Sequence, residues 1–347
     1  MRLHSRGLGR ALVALTAMAA ALVLTVPVQA DAQQPAACSD QYFPVTLTGL
    51  PETLYGQLCV PAGGAKTVAV LVPGASYNSA YWNSQYDPSQ LSFVRAMNDA
   101  GYATLDIDRL GTGRSSHPLS ALITSITQAL TVHQVIQDLR AGSQTAPFGS
   151  VLLAGHSVGS AIAIIEAGTY HDVNGVLVTG LTHGVNPIGA AEIVATLIPA
   201  DLDAKFATLG LDPGYLTTDP GTRYNSFQAP GPYIAGVANM DEATKDAFAP
   251  GEVVDTVLIG VVSTYSKLIT VPTMLVMGQK DPAFCGGLLA PNCSTASTLL
   301  AGEGRYYSAA AQLQTAVVDD WGHSINYAPD APTYQSAVIA WANKMIH

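Results

Sequence analysis

The sequence predicts an α/β fold in which a mostly parallel central sheet is flanked by helices. Short apolar runs rich in valine, leucine and threonine recur along the chain, and segments with apolar residues at three- and four-residue steps separate them. This alternation is typical of βαβ units, whose helices cover both faces of a parallel sheet. A chain of 347 residues is long enough for one large domain with an insertion.

Six apolar runs are the predicted core strands of the sheet. Two earlier runs, 45–47 and 54–60, are separated by the turn sequence Gly-Leu-Pro and are predicted to pair antiparallel at the sheet edge. Apolar spacing further predicts four helices, at 88–100, 121–141, 158–167 and 333–346. The core strands are expected at 67–72, 103–107, 151–154, 176–179, 273–277 and 316–318.

The alternation of strands and helices stops between the sixth and seventh predicted strands. In residues 185–270, helical patches alternate with Pro-Gly turns and no core strand is predicted. This segment is too long for a plain loop. We therefore predict an inserted cap over 185–270, with residues 33–184 and 271–347 forming the core domain. The apolar patches of the cap, 193–198 and 253–262, are expected to pack on the sheet edge or to line a cleft.

Residues 1–30 have the layout of a secretory signal peptide. Three arginines precede an apolar run at 11–26, and small residues at a cleavable spacing follow, so cleavage is expected after Ala30 or Ala32. The alternative is a transmembrane anchor, but a bilayer span needs about 20 apolar residues and this run is shorter. The mature chain is therefore expected to be extracellular and to have no stable membrane anchor.

The charge balance disfavours nucleic acid as a partner. The chain has 15 lysines and arginines against 25 acidic residues, a formal net charge of −10. Loss of a signal peptide with three arginines would make the mature chain more acidic, at about −12 to −13. No basic cluster is available to neutralise phosphates.

All four cysteines lie in the predicted exported part of the chain. An even number of cysteines in an oxidising compartment favours two disulfides. Proximity in the sequence favours pairing Cys38 with Cys59 and Cys285 with Cys293. A zinc site would need tighter pairs such as Cys-x-x-Cys with histidines nearby, so no metal is expected.

The strongest local signal is the Gly-x-Ser-x-Gly motif around Ser157. It follows an apolar strand and opens an alanine-rich helix, which is the nucleophile-elbow arrangement. Such a sharp turn strains the backbone of the serine, and Gly155 and Gly159 leave room for the strand and helix to approach. An ordinary helix N-cap is the alternative role of this serine, but it explains neither glycine. Ser157 is therefore the predicted nucleophile.

Together with other motifs, this elbow resembles the α/β-hydrolase superfamily over essentially the whole mature chain. Residues 71–75, Leu-Val-Pro-Gly-Ala, stand where that family has its oxyanion loop. Residues 106–115 resemble its Asp-x-Arg-Gly-x-Gly-x-Ser loop, although Leu110 interrupts the Arg-Gly pair. Residues 274–282 are similar to the late strand that presents the catalytic acid, and 319–324 to the loop that carries the histidine.

The resemblance implies a catalytic triad of Ser157, Asp281 and His323, in the chain order of this fold. The imidazole would accept the serine proton, and the carboxylate would stabilise the resulting imidazolium. The resemblance also places the oxyanion donors at the backbone N–H groups of Ala75 and Val158. The alternatives are a turn-capping role for the aspartate and a surface-loop position for the histidine.

Other polar and aromatic residues near the predicted site have two open interpretations. Tyr77 and Trp82 follow the oxyanion loop, and either line the cleft or pack in the core. His183 follows a core strand at the edge where the site is expected. It either lines the cleft or packs in the structure, and both interpretations are equally open. His156 is expected to pack beside the helix, and the charged residues of 106–109 are expected to fix their loop through ion pairs and turn hydrogen bonds.

The sequence thus predicts a secreted serine hydrolase that cleaves a carboxylic ester with a fairly apolar acyl or alcohol part. The ester preference depends on the apolar cap patches and on the bias of the superfamily. A peptidase or amidase, a lactone, thioester or carbon–carbon bond hydrolase, and a non-catalytic secreted binding protein are the alternatives. No cofactor is expected, because the glycines of 111–116 lack the third glycine of dinucleotide sites and the Gly-Lys-Ser/Thr of phosphate loops.

Overall fold

A computed structural model describes Met1, residues 35–257 and residues 265–346. The predicted signal peptide therefore lies outside the described residues, apart from Met1. The end of the predicted apolar patch 253–262 also lies outside them. None of the helices in the described stretches combines the length and the apolar composition that a membrane span requires.

An eight-stranded sheet forms the centre of the fold, in the order β1-β2-β4-β3-β5-β6-β9-β10. β7 and β8 form a separate two-stranded antiparallel sheet. In the large sheet, β1–β2 and β2–β4 pair antiparallel, and all other neighbours pair parallel. In the described residues the strands are β1 (Ala37–Leu47), β2 (Leu50–Val60), β3 (Thr67–Val72), β4 (Ala103–Ile107), β5 (Ser150–His156), β6 (Gly175–Thr179), β7 (Leu197–Pro199), β8 (Leu216–Thr218), β9 (Thr273–Gly278) and β10 (Gln314–Val318).

Helices cover both faces of this sheet. The buried side chains of the third and fourth helices belong to one apolar cluster, and those of the second and tenth belong to another on the opposite face. In the described residues the helices are α1 (Pro88–Leu91), α2 (Phe93–Asp99), α3 (Ser125–Ala141), α4 (Val158–Tyr170), α5 (Pro187–Val194), α6 (Ala235–Thr244), α7 (Pro250–Asp255), α8 (Tyr265–Leu268), α9 (Ala296–Glu303) and α10 (Ala331–Met345).

All six predicted core strands and the antiparallel edge pair are present. The central strands are buried on both faces, which explains why their sequences are continuous apolar runs and do not alternate with polar residues. The prediction of a single helix at 88–100 was wrong, because this segment forms two helices divided at Ser92. Ser92 has an extended backbone, and its Oγ accepts a hydrogen bond from the N–H of Arg95 at 3.1 Å, so it caps α2.

The described parts of 185–270 contain α5 to α8 and the small sheet, but no strand of the eight-stranded sheet. They also contain π-helix, including Tyr224–Gln228. Contacts join this segment to the sheet within one compact unit, Gln34–His347. The segment is therefore an elaboration of the sheet domain.

Both cysteine pairs lie where the sequence analysis placed them. Cys38 and Cys59 face each other across β1 and β2, with their Cα atoms 4.0 Å apart. Cys285 and Cys293 close the loop that follows β9, with a Cα separation of 5.6 Å. One pair therefore lies at the sheet edge and the other near the predicted acid.

Candidate active site

Ser157 occupies the sharp turn between β5 and α4. Its backbone has φ 53° and ψ −117°, which L-residues adopt rarely. A Cβ atom at Gly155 would lie 2.2 Å from the carbonyl oxygen of Gly159, and one at Gly159 would lie 2.2 Å from that of Val72. The two glycines are therefore needed for the approach of strand, turn and helix. The turn leaves the Ser157 side chain only partly buried.

His323 and Asp281 form a buried pair beside this turn, with 2.6 Å between Nδ1 and Oδ2. Asp281 follows β9 and His323 follows β10, so parallel neighbouring strands bring them together. The other carboxylate oxygen, Oδ1, accepts hydrogen bonds from the N–H groups of Ala283 at 2.9 Å and Phe284 at 3.0 Å. These contacts orient the carboxylate and the ring, and they leave Nε2 as the ring nitrogen that can accept a proton.

Ser157 and His323 line the same cavity, which has a volume of about 140 Å³. Most of its walls are apolar, and the segment 185–270 contributes more than half of the lining residues. These include Val185, Ile193, Leu197, Phe227, Phe248 and Val253. Ser157 and His323 therefore border a mainly apolar cavity.

The two predicted oxyanion donors border this cavity as well. Val158 is the first residue of α4, so its N–H belongs to the turn of the helix that has no intrahelical acceptor. Ala75 lies in the loop after β3 and lines the cavity beside Ser157. A Cβ at Gly74 would lie 3.1 Å from the Cβ of Ser157, so a side chain there would crowd the serine.

The loop that carries Ala75 is held from the segment 185–270. Ser76 has a left-handed backbone, with φ 55°. Its Oγ accepts a hydrogen bond from Arg223 Nη1 at 2.9 Å, and its carbonyl accepts one from the N–H of Asp246 at 2.9 Å. Arg223 in turn pairs with Asp241, with 2.7 Å between Nε and Oδ1. No local motif in the sequence marks Arg223, because its contact with Ser76 joins residues 147 positions apart.

A second hydrogen-bonded support comes from the loop after β4. Asp108 accepts a hydrogen bond from the N–H of Arg114 at 2.8 Å. Arg109 donates to the carbonyl of Gly74 at 3.0 Å and forms a fully buried ion pair with Glu252 of α7. The loop thus has the ion pair and turn hydrogen bonds expected of it, but the partner Glu252 was not anticipated.

Tyr77 lines the cavity. Its hydroxyl lies 2.6 Å from Ser324 Oγ, and the Arg223 guanidinium lies 4.3 Å from the centre of its ring. Burial raises the pKa of Tyr77 above its ordinary value, so its hydroxyl stays protonated at neutral pH. Tyr77 therefore acts as a neutral wall residue between the cavity and the buried arginine.

Trp82 and His183, the other candidate lining residues, do not border the cavity formed by the described residues. Trp82 is fully buried and packs against Tyr81 and Phe93, with ring centres 5.3 Å and 5.1 Å away. His183 is buried, and both of its ring nitrogens are hydrogen bonded. Nδ1 contacts Glu303 and Nε2 contacts Ser266. Both side chains therefore pack in the interior of the described structure.

Ser266, His183 and Glu303 have the same chemical types as a catalytic triad, at 2.8 Å (Oγ to Nε2) and 2.6 Å (Nδ1 to Oε2). Ser266 is only 1% exposed. Its hydroxyl donates to the carbonyl of Tyr306 at 2.7 Å, so its proton is not directed to the histidine. This set is a buried hydrogen-bonded link between α8 and α9, without access for a substrate.

His156 lies behind His323. Its ring stacks on Tyr81, with centres 4.2 Å apart, and lies 4.8 Å from the ring of His323. Burial and then the nearby His323 hold the pKa of His156 well below its usual range. A neutral imidazole ring therefore packs behind His323. The variable position of His156 within the elbow motif gave no signal of this contact.

A family model described as the alpha/beta hydrolase family matches residues 69–334. This range includes Ser157, Asp281 and His323. The chain belongs to the α/β-hydrolase family. A search of curated proteins finds no match to this hydrolase.

Solved structures share the fold of this α/β-hydrolase at low sequence identity. A soluble variant of monoglyceride lipase from Saccharomyces cerevisiae superposes with a TM-score of 0.62 at 15% identity, over 92% of this chain and 97% of the lipase. A carboxyl esterase from Bacillus coagulans gives 0.58 at 15% identity, over 88% and 99%. An enol-lactonase from Burkholderia xenovorans gives 0.56 at 16% identity, over 87% and 100%.

Proposed function

We propose that this α/β-hydrolase is a serine hydrolase that cleaves carboxylic esters through an acyl-enzyme on Ser157. One observation carries the proposal. Ser157 stands on a strained elbow in the same cavity as His323, whose Nδ1 is fixed 2.6 Å from Asp281. A serine becomes an effective nucleophile only where an oriented imidazole can accept its proton.

In the proposed mechanism, His323 Nε2 takes the proton of Ser157 while Oγ attacks the ester carbonyl carbon. The N–H groups of Ala75 and Val158 stabilise the negative oxygen that forms. The imidazolium, stabilised by Asp281, then donates its proton to the leaving alcohol. Water activated by the same histidine attacks the acyl-enzyme, and the acid is released with Ser157 regenerated.

The lining of the cavity supports an apolar acyl or alcohol group in the substrate. Its volume of about 140 Å³ is close to that of apolar protein cavities that hold a benzene-sized group. Charged side chains are absent from its lining in the described part of the chain. A peptide terminus would therefore be bound without an ionic partner, which favours esters over peptides as substrates.

We further propose that the protein is secreted and that residues 185–270 form a cap over the site. Export is supported by the signal-peptide layout of 1–30 and by the two disulfides. The cap assignment is supported by the lining residues that this segment contributes to the cavity. The N-terminal residue of the exported protein tests the signal peptide. Its substrate preference tests the cap.

The experiment that tests the function uses purified mature protein and p-nitrophenyl esters of graded chain length, beside aminoacyl anilides. We expect turnover of esters with short or aromatic acyl groups and little turnover of anilides. A fluorophosphonate probe followed by peptide mass spectrometry should label Ser157. Labelling at another serine would refute the nucleophile, and faster turnover of anilides would replace the esterase by an amidase. Failure of both substrates and probe would favour a non-catalytic protein.

A further inference from the structure

A cluster of three metal-ligating side chains lies towards the C-terminal end of α4, the helix that begins after Ser157. His133 comes from α3, Glu166 from α4 and Asp172 from the loop that follows. His133 Nδ1 lies 2.8 Å from Asp172 Oδ2 and 3.6 Å from Glu166 Oε1. The three ligand atoms all lie within 4.8 Å of one another. Two atoms that each lie about 2 Å from one cation are at most about 4 Å apart, so the separations of 2.8 Å and 3.6 Å fit one shared ion.

Glu166 is the residue whose surroundings indicate a bound ligand. It is completely buried, and no hydrogen-bond donor in the described residues satisfies either of its carboxylate oxygens. A buried carboxylate that accepts no hydrogen bond is strongly unfavourable. In the cation-free protein, burial and then the neighbouring Asp172 raise the pKa of Glu166 to about 10.

We propose that His133, Glu166 and Asp172 bind a divalent first-row transition cation of the zinc type. One imidazole nitrogen and two carboxylate oxygens are ligands that zinc accepts, and the two carboxylates balance its charge. Calcium is disfavoured because it takes six to eight oxygen ligands. The cysteine spacing predicted no metal site, but this site contains no cysteine.

The surroundings of the cluster fix its ligands and leave a path for an ion. The ring of Tyr170 stacks on His133, with centres 3.8 Å apart. Gln137 donates to Asp172 Oδ2, and Arg140 Nε donates to the Asp172 carbonyl at 2.7 Å. Such outer contacts are typical of ordered metal ligands. The His133 side chain is 23% exposed, so an ion can enter from solvent and keep water in its remaining positions.

The bound cation would tie α3 to the end of α4 and so stabilise the folded protein. The test compares purified, tag-free protein in EDTA with the same protein after dialysis against Zn²⁺. We expect one zinc per chain by calorimetric titration and by elemental analysis. At zinc concentrations about a hundredfold above Kd, the Tm should rise by about 5 °C.

Two ligand variants and one control decide the result. Glu166→Gln and His133→Asn should each lose the stoichiometric zinc and the rise in Tm. His171→Asn should keep both, because His171 is exposed, lies next to Asp172 in sequence and is outside the cluster. Substoichiometric binding, or an equal Tm shift in the ligand variants, would overturn the site. If one ligand variant does not fold, the other still gives the answer, and none of these readouts depends on esterase activity.

Discussion

Arg223 Nη1 donates a hydrogen bond of 2.9 Å to Oγ of Ser76, the residue that follows Ala75. Ser76 is held in a left-handed conformation, which is unfavourable for a serine unless its surroundings fix it. The buried guanidinium makes this contact while paired with Asp241. Burial opposes the charge of the guanidinium, but Asp241 holds the pKa of Arg223 above its ordinary value. The segment 185–270 therefore fixes the position of the proposed oxyanion donor.

The first prediction concerns this arginine. Arg223→Lys should lower kcat for a p-nitrophenyl ester about tenfold with little change in KM, because lysine cannot bond Ser76 and Asp241 through separate nitrogens. Loss of a whole oxyanion donor typically costs 10²- to 10³-fold, and a displaced donor should cost less. Arg95→Lys is the control, since Arg95 lies on the surface in an exposed pair with Asp99. An unchanged kcat in folded Arg223→Lys protein would exclude a positioning role.

The second prediction separates two serines that each contact or face a histidine. Ser157→Ala should reduce ester turnover by several orders of magnitude and leave the fold intact. Ser266→Ala should keep most of the activity, because Ser266 is buried and donates to the Tyr306 carbonyl. Its Tm should fall by a few degrees, because His183 and that carbonyl lose a partner. More than about a tenth of wild-type turnover in Ser157→Ala would refute the nucleophile.

The third prediction concerns the acid. Asp281→Asn should lower kcat by about 10⁴-fold, because an amide favours the wrong imidazole tautomer. Asp320→Asn should have a mild effect, since Asp320 is exposed and lies only three residues before His323. The kcat values of both variants, measured on folded protein, decide between the two carboxylates. Equal losses would require a different assignment of the acid.

The sequence allowed the sheet and the proposed triad to be predicted because both depend on local patterns. Strands such as Thr67–Val72 are buried on both faces, so their apolar runs identify them without knowledge of their neighbours. Ser157, Asp281 and His323 each end a strand or follow one in a short recognisable motif. Parallel strand order then brings the ends together, as the 2.6 Å contact between the last two illustrates.

The parts that could not be predicted depend on contacts between distant segments or on side-chain direction. Arg223 and Glu252 both belong to the segment 185–270. Arg223 contacts the loop that carries Ala75, Glu252 contacts Arg109, and no local motif marks either contact. Trp82 and His183 were placed near the site by their sequence positions alone. Their side chains turn into the core, which depends on packing partners that sequence spacing does not reveal.

The fourth prediction is a pH dependence of stability in EDTA. Glu166 in the folded protein has a pKa of about 10, above the ordinary value of 4.5. Between these pH values the folded state binds more protons than the unfolded state, so stability falls as pH rises. Each pH unit can cost at most about 1.4 kcal/mol. The groups that face Glu166 are His133, Tyr170, Asp172 and Arg140.

Glu166→Gln removes this titration. In EDTA its Tm should exceed that of the wild type by several degrees more at pH 8 than at pH 5. Differential scanning calorimetry at the two pH values measures the gap. An equal Tm difference between Glu166→Gln and the wild type at both pH values would contradict the raised pKa of Glu166. His171→Asn is the control, and its Tm should differ from that of the wild type by the same amount at pH 5 and at pH 8.

The last prediction concerns the two disulfides. Cys285–Cys293 closes the loop that positions Asp281, since the N–H of Cys285 donates to the Asp281 carbonyl at 3.2 Å. Phe284, the residue before Cys285, donates to Oδ1 of the same aspartate. Cys38–Cys59 joins β1 and β2 at the sheet edge, away from these contacts. The chain-entropy model gives about 2.5 kcal/mol for the eight-residue separation and about 3.3 kcal/mol for the separation of 21.

Replacing Cys38 and Cys59 by serine should therefore lower the Tm at least as much as replacing Cys285 and Cys293. Activity should follow the opposite order. Without the second disulfide, Asp281 can move relative to His323, and kcat should fall several-fold at a temperature where both double variants are folded. Without the first, kcat per folded molecule should stay near the wild-type value. Equal kcat values in the two double variants would mean that Ala283 and Phe284 hold the carboxylate without help from the disulfide.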